Sequence, residues 1–155
     1  MSDAGWRAAS AVDAGRLADL ERDANLAALG HIFPSATYPF PHADVLARWQ
    51  AVVADVGVTV DVVAAEDRLD AFVAYDDTTV RHLAVHPERW GCGSARAGVE
   101  RAERAGAHRL WCLLENQRAR GLYDHLGWRP TGLSRTAQWA PYPLEIEYAA
   151  ADRVH

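Results

Sequence analysis

The sequence predicts one α/β domain, over residues 1–155, in which a mixed sheet is flanked by helices. Short apolar runs with strand periodicity alternate along the chain with segments whose apolar residues recur at helical spacing. Glycine and proline residues separate these segments. The 155 residues are enough to bury one core, and the apolar content of 50% is typical of a globular protein.

The first half of the chain predicts a strand, two helices and three further strands. The first strand is expected over residues 6–9, and Ser10 or Asp13 is the candidate cap of the first helix, which Gly30 ends. A linker over residues 31–41 follows and contains three prolines. The later segments are predicted as one helix and three strands, over residues 44–53, 58–64, 68–75 and 79–85.

The second half of the chain alternates helices and strands before it ends on two strands. Asn116 is a good cap for the second of these helices, and Gly106 and Gly127 are the expected helix stops. The predicted helix, strand, helix and two strands cover residues 94–105, 109–114, 116–126, 131–138 and 144–148. The resulting order is β-α-α-β-β-β-α-β-α-β-β.

The glycine-rich segment after the strand at residues 79–85 is the strongest functional signal. Pro87 ends that strand, and Gly91, Gly93 and Ala95 then alternate directly before a helix. Backbone N–H groups of such a loop, together with the positive end of the helix dipole, favour an anion such as phosphate. The pattern alone is weak, because Arg96 stands where the dinucleotide fingerprint has its third glycine and no P-loop lysine follows.

A second motif, around Asn116, makes the functional signal more specific when it is combined with the glycine-rich segment. Together the two segments resemble the GNAT superfamily, the acyl-CoA-dependent N-acetyltransferases. The first signature of that family is matched by Leu83, Val85, Pro87, Trp90, Gly93 and Ala95, and the second by Asn116, Ala119, Tyr123, Gly127 and Trp128. The clear match covers residues 80–132, about a third of the chain. Two positions depart from the family: Trp90 replaces a usual Gln or Arg, and Gly98 replaces a large apolar residue.

The resemblance implies a central, mostly antiparallel sheet of six to seven strands flanked by four helices. It also implies that the strands carrying Leu83 and Leu113 splay apart to hold acyl-CoA. Acetyl-CoA is then the expected co-substrate, with no metal. The implied cofactor-binding residues are Leu83, Ala84, Val85, Trp90, Gly91, Cys92, Gly93, Ser94, Ala95, Asn116 and Ala119.

The implied reaction moves an acetyl group from acetyl-CoA to a primary amine by direct attack through a tetrahedral intermediate. The backbone N–H of Leu83 is the candidate oxyanion donor, and Tyr123 is the candidate general acid. Glu115 is the carboxylate candidate for a general base, and a water chain is the alternative. A core role for Tyr123 and a capping role alone for Asn116 stay open.

Aromatic residues are the expected contacts of the acceptor. In the family, the linker between the first two helices and the last hairpin surround the acceptor. Here they offer Phe33, Tyr38 and Trp139, with Phe40 and Tyr142 nearby. The alternative is that these rings serve only core and hairpin packing.

Composition limits the other function classes. The net charge of −5 and the lack of a basic run disfavour nucleic acid as a partner. No apolar stretch approaches a membrane span, no signal peptide follows Met1, and two cysteines without a metal or disulfide pattern predict a reducing cytoplasm. The expected partner is a small-molecule or peptide amine, and a homodimer stays open. A non-catalytic acyl-CoA-binding module and a nucleotide-binding protein of another α/β fold are the alternatives.

Overall fold

The computed structural model describes residues 5–151, and within them it has seven strands and four α-helices in the predicted order. The strands are β1 (Trp6–Ala8), β2 (Thr59–Ala64), β3 (Leu69–Tyr75), β4 (Thr79–Val85), β5 (Arg109–Leu113), β6 (Arg129–Thr136) and β7 (Leu144–Ala149). The helices are α1 (Ala14–Ala28), α2 (His42–Ala54), α3 (Ser94–Arg104) and α4 (Gln117–His125). The strand order is β1-β2-β3-β4-β5-β7-β6, and only the β4–β5 pair is parallel.

The sheet is covered by helices on both faces. Helices α1 and α2 pack Leu17 and Trp49 against Phe72 of β3, whereas α3 and α4 pack Val99 and Tyr123 on the opposite side. Successive side chains of a strand point to opposite faces. The continuous apolar run of β3 is therefore explained by burial on both sides. None of the described helices combines the length and apolar character needed to span a membrane.

The parallel strands β4 and β5 separate soon after they pair, as the resemblance implied. Thr79 and Val80 pair with Arg109 and Leu110, and the described residues contain no further pair between these strands. The N–H of His86 donates to the carbonyl of Asp70 in the hairpin partner, at 2.8 Å. Because backbone groups of successive residues point to alternate edges, Leu83 and Val85 direct theirs into the gap beside β5.

Gly98 lies on the face of α3 that packs against the sheet. A Cβ at this position would be 3.0 Å from Leu83 Cδ1 and 3.4 Å from atoms of Trp6 and Val73. The missing side chain therefore lets α3 rest directly over Leu83. Close packing explains this departure from the family, in spite of the helix-propensity cost of about 1 kcal/mol relative to alanine.

The first helix begins with a short 3₁₀ turn (Ala11–Asp13), to which both candidate cap residues contribute. The N–H of Ser10 donates to the carboxylate of Asp13 at 2.8 Å. Arg7 on β1 donates to both oxygens of the same carboxylate, at 2.9 and 3.0 Å. Hydrogen bonding to Arg7 is the largest effect on the pKa of Asp13, and it lowers this pKa against the opposing effect of burial. The start of α1 is thus tied to the edge strand.

Candidate active site

A cleft of about 690 Å³ opens where β4 and β5 separate. Its walls come from α1, β4, the glycine loop, α3 and α4. Every predicted cofactor-binding residue lines it except Cys92, which is exposed and lies outside the lining. The structure therefore brings the two sequence motifs together around one cavity, and Tyr123 joins them there.

The glycine loop needs glycine for its backbone conformation. Gly91 and Gly93 have φ values of +83° and +86°, a region that L side chains rarely adopt, and Gly93 is the N-cap of α3. A Cβ on either residue would meet no protein atom within 4 Å. Open space therefore lies in front of the loop and the α3 N-terminus, where unpaired N–H groups favour an anion.

Three arginines at this end of the cleft add positive charge that the sequence interpretation missed. Arg89, Arg96 and Arg118 all line the cleft. The guanidinium of Arg118 lies 3.8 Å from the ring centroid of Trp90, whose indole N–H donates to the Val85 carbonyl at 2.9 Å. Trp90 thus supports a cation from α4, although it cannot supply the polar contact of the usual Gln or Arg. The local signal was an arginine in the first turn of α4, two residues after its cap.

Tyr123 is buried and lines the cleft from α4. Its ring packs against Trp128 and Tyr148, with centroid distances of 6.3 and 5.6 Å. Among the described residues, no hydrogen-bond partner reaches its hydroxyl. Burial, followed by Cys112 and Tyr148, raises the pKa of Tyr123 above its ordinary value of 10. The phenol therefore stays protonated at neutral pH and is suited to donate a proton.

The cap predicted for α4 is confirmed. The side chain of Asn116 accepts from the N–H of Ala119 at 3.1 Å, which satisfies one free donor of the first turn. Both residues also line the cleft. Asn116 can therefore hold the helix start and face a ligand at the same time.

The structure does not bring Glu115 into the cleft. This residue is exposed, and its side chain is not part of the lining. Its backbone carbonyl accepts from the ring Nε2 of His31 at 2.8 Å, which ties the linker to the start of α4. A general-base role for Glu115 gains no support from this placement, and the water alternative is unaffected.

His82 lies on the opposite face of β4 from Leu83, as strand alternation predicts. Its ring packs against Trp49 of α2 at a centroid distance of 5.1 Å. Burial, together with the charges of Arg48 and Arg81, lowers the pKa of His82 to about 3. His82 is therefore a packed, neutral histidine under α2. It does not line the cleft.

A second cavity of about 280 Å³ lies beside the cleft, on the other side of Asn25. It brings together Phe33, Tyr38 and Trp139, the three residues predicted to contact the acceptor. Asn25 lines both cavities, so they adjoin at α1. The remaining lining residues are Glu21, Leu26, Thr37, Pro39, Phe40, Pro41, Val45 and Ala140. Glu21 and Asn25 were missed, although their i, i+4 spacing places them on one helix face.

Comparison with known proteins identifies the family. The model of the Acetyltransferase (GNAT) family matches residues 17–128. The chain belongs to this family. The matched GNAT region contains the glycine loop, the splayed strands and the helix of Tyr123, whereas Trp139 lies beyond it. Family membership supports acetyl transfer in general as the chemistry of the cleft.

Solved structures share this fold along nearly the whole chain. Apo-form YjaB from Escherichia coli has a TM-score of 0.72 and 21% identity, over 94% of this chain and 97% of that one. The putative acetyltransferase yncA from Salmonella typhimurium, solved with acetyl-CoA, has a TM-score of 0.63 and 20% identity, over 99% of this chain and 98% of that one. The paia N-acetyltransferase from Thermoplasma acidophilum, in complex with coenzyme A, has a TM-score of 0.62 and 14% identity, over 92% of this chain and 96% of that one. No curated protein matches the sequence.

Proposed function

We propose that this GNAT domain transfers the acetyl group of acetyl-CoA to a primary amine by direct attack. One observation is the main support: the backbone N–H groups of Leu83 and Val85, which face the gap between β4 and β5, lie around one cleft with Tyr123 and the glycine loop. Acetyl-CoA supplies an acetyl group that is activated as a thioester.

The residues of the cleft fit the parts of acetyl-CoA. The glycine loop, the α3 N-terminus and the guanidinium groups of Arg96 and Arg118 suit its phosphates. The edge of β4 offers the backbone N–H of Val85 to an amide carbonyl of the pantetheine arm, which leaves the N–H of Leu83 for the reacting carbonyl. The Val85 carbonyl already accepts from Trp90. Acetyl-CoA and CoA in the yncA and paia structures support the same assignment.

We assign two groups a role on the reacting atoms. The N–H of Leu83 points into the gap, where it can donate to the oxygen that gains negative charge during attack. Tyr123 can protonate the departing thiolate, because a phenol whose pKa is at or above its ordinary value of 10 carries its proton at neutral pH. The acceptor reaches them from the second cavity past Asn25 and attacks as the unprotonated amine. Water takes the proton that the amine nitrogen loses on forming the amide, and solvent returns a proton to the Tyr123 phenolate.

We also propose a cytoplasmic location and a small-molecule or peptide amine as the partner. Cys92 and Cys112 are both free thiols, and burial raises the pKa of Cys112 to about 12. Free thiols are typical of a reducing compartment. The net charge of −5 gives no reason to expect nucleic acid.

Ligand binding and turnover together test the proposed function. The melting temperature should rise with the concentration of CoA, and not with that of ATP or NAD. Release of free thiol from acetyl-CoA should then depend on an added amine. Stabilisation by CoA without turnover on any amine would favour the non-catalytic module. Stabilisation by ATP or NAD alone would contradict the proposal.

A further inference from the structure

The second cavity has walls that suit an apolar body. Phe33, Tyr38, Phe40 and Trp139 supply aromatic surface, and Leu26 and Val45 add aliphatic surface. Its volume of about 280 Å³ lies at the small end of ligand pockets. A single aromatic or aliphatic group therefore fits better than a polyamine or a folded tail.

Glu21 is the one carboxylate among the described lining residues of this cavity. Its side chain is 16% exposed, so it is largely removed from water. One carboxylate oxygen, Oε1, accepts from the indole N–H of Trp49 at 2.9 Å and from the guanidinium of Arg48. Within residues 5–151, no donor reaches the other oxygen, Oε2. Oε2 stays accessible, since the buried and unpartnered side-chain polar atoms of the described residues are Arg48 Nε and Trp128 Nε1. It can therefore accept from a ligand that brings a donor.

The contacts of Glu21 also hold it in place. Trp49 is fully buried and packs against Phe72 at a centroid distance of 4.8 Å, so its indole N–H is a rigid donor. The Arg48 guanidinium lies 5.2 Å from the centroid of the same ring. Oε1 is thus held from two sides, and the carboxylate is preorganised for a cation at Oε2.

The cavity lacks a partner for a negative charge. None of its described lining residues is Lys, Arg or His, and Arg48 binds Glu21 from outside the lining. A carboxylate on the acceptor would therefore lose its hydration without compensation. Asn25 lies one turn after Glu21 on α1 and lines both cavities, so a ligand held at Glu21 lies next to the cleft.

We propose that Glu21 recognises the acceptor in its ammonium form, and that the acceptor is a primary amine on an aromatic or other apolar body, without a carboxylate. The acceptor class rests on the proposed function. Glu21 acts as a specificity-determining residue, and Trp49 and Arg48 position it.

Binding to the protein without acetyl-CoA tests this recognition directly. Calorimetric titrations would compare 2-phenylethylamine with two matched probes: 2-phenylethanol, which lacks the charge, and phenylalanine, which adds a carboxylate. The amine should bind at least about tenfold more tightly than either probe, since a charge-assisted hydrogen bond is stronger than a neutral one. Glu21→Gln should weaken amine binding about ten- to hundredfold and leave binding of the alcohol within about twofold.

Asp23→Asn is the matched control, because it removes a charge from the same helix at a residue outside the second cavity. It should leave amine binding within about twofold of wild type. Equal binding of the amine and the alcohol to wild type, or no saturable binding of the amine, would overturn the proposal without any variant. So would unchanged amine binding by folded Glu21→Gln.

These experiments distinguish a failure of amine recognition by Glu21 from a failure of the proposed acetyl transfer. If 2-phenylethylamine binds through Glu21 but no amine is acetylated, the recognition site stands and the transferase proposal is wrong. If amino acids or polyamines are acetylated and their KM is unchanged in Glu21→Gln, the transferase proposal stands and the acceptor class is wrong.

Discussion

Replacing Tyr123 with phenylalanine removes a single oxygen atom from the cleft. The hydroxyl has no hydrogen-bond partner among the described residues, and the ring contacts with Trp128 and Tyr148 do not need it. The free energy of unfolding should therefore change by no more than about 0.5 kcal/mol. This small structural cost makes the substitution a clean test of proton donation.

The catalytic effect should be far larger. General acid catalysis contributes roughly 10²–10⁴-fold, which corresponds to about 3–5 kcal/mol in the barrier. The turnover number should fall by that factor, while the CoA dissociation constant stays within about twofold. Thiol release would be measured at saturating amine and acetyl-CoA, with an acceptor for which chemistry limits the rate. CoA binding would be measured by calorimetry.

Tyr148→Phe is the matched control for this experiment. Tyr148 packs directly against Tyr123 and accepts from Arg120 Nε at 3.1 Å, but it does not line the cleft. Its substitution should cost about 1 kcal/mol of stability and leave the turnover number unchanged. A wild-type turnover number for folded Tyr123→Phe would refute the acid role. A loss of CoA affinity above tenfold would make Tyr123 a cofactor contact instead.

Three further predictions follow from the loop, the linker and the sheet. Gly93→Asp should weaken CoA binding at least about tenfold relative to Gly93→Asn in calorimetry, because only the aspartate adds negative charge to the anion site; equal affinities would remove phosphate from that loop. The double substitution of Phe33 and Tyr38 with alanine should raise the acceptor KM and leave the CoA dissociation constant within about twofold, once circular dichroism shows a folded protein; an unchanged KM would make the linker structural. Burial, Arg48 and Arg81 lower the pKa of His82 to about 3 in the folded protein. His82 is neutral in both states above its ordinary pKa of 6.5, whereas below it the unfolded chain takes up a proton that the folded protein does not. The free energy of unfolding should therefore decrease as the pH falls from 6.5 towards 3. Urea unfolding at pH 7 and pH 4 should show a loss on the order of 2–3 kcal/mol that His82→Gln reduces; an equal loss in both proteins would contradict it.

The order of the elements was predictable because it depends on local patterns. Residues 79–85 alternate as a strand and Pro87 follows, and β4 has those bounds in the structure. Helix α2 is longer than predicted by two residues at its start and one at its end, because His42 and Ala54 add little to the apolar pattern. Helix ends are the least determined part of such a pattern.

The composition of the cleft was also largely predictable, because both motifs belong to consecutive strand–loop–helix units. Their loops lie at the same end of parallel strands, which brings the glycine loop and Asn116 together. Cys92 is exposed and lies outside the lining, so its cofactor contact through the backbone of the loop stays a prediction.

The sequence by itself determined the local features of this GNAT domain: the strand and helix order, the glycines that the loop conformation requires, and the cap of α4. Only the tertiary structure decided how far β4 and β5 separate, why Gly98 is small, and which groups hold Glu21. The distance along the chain is the physical reason. Trp49 reaches Glu21 from another helix. Trp139 lines the same cavity as Phe33, although it comes from the last hairpin. Such contacts depend on how whole elements pack, which the periodicity of one segment does not record.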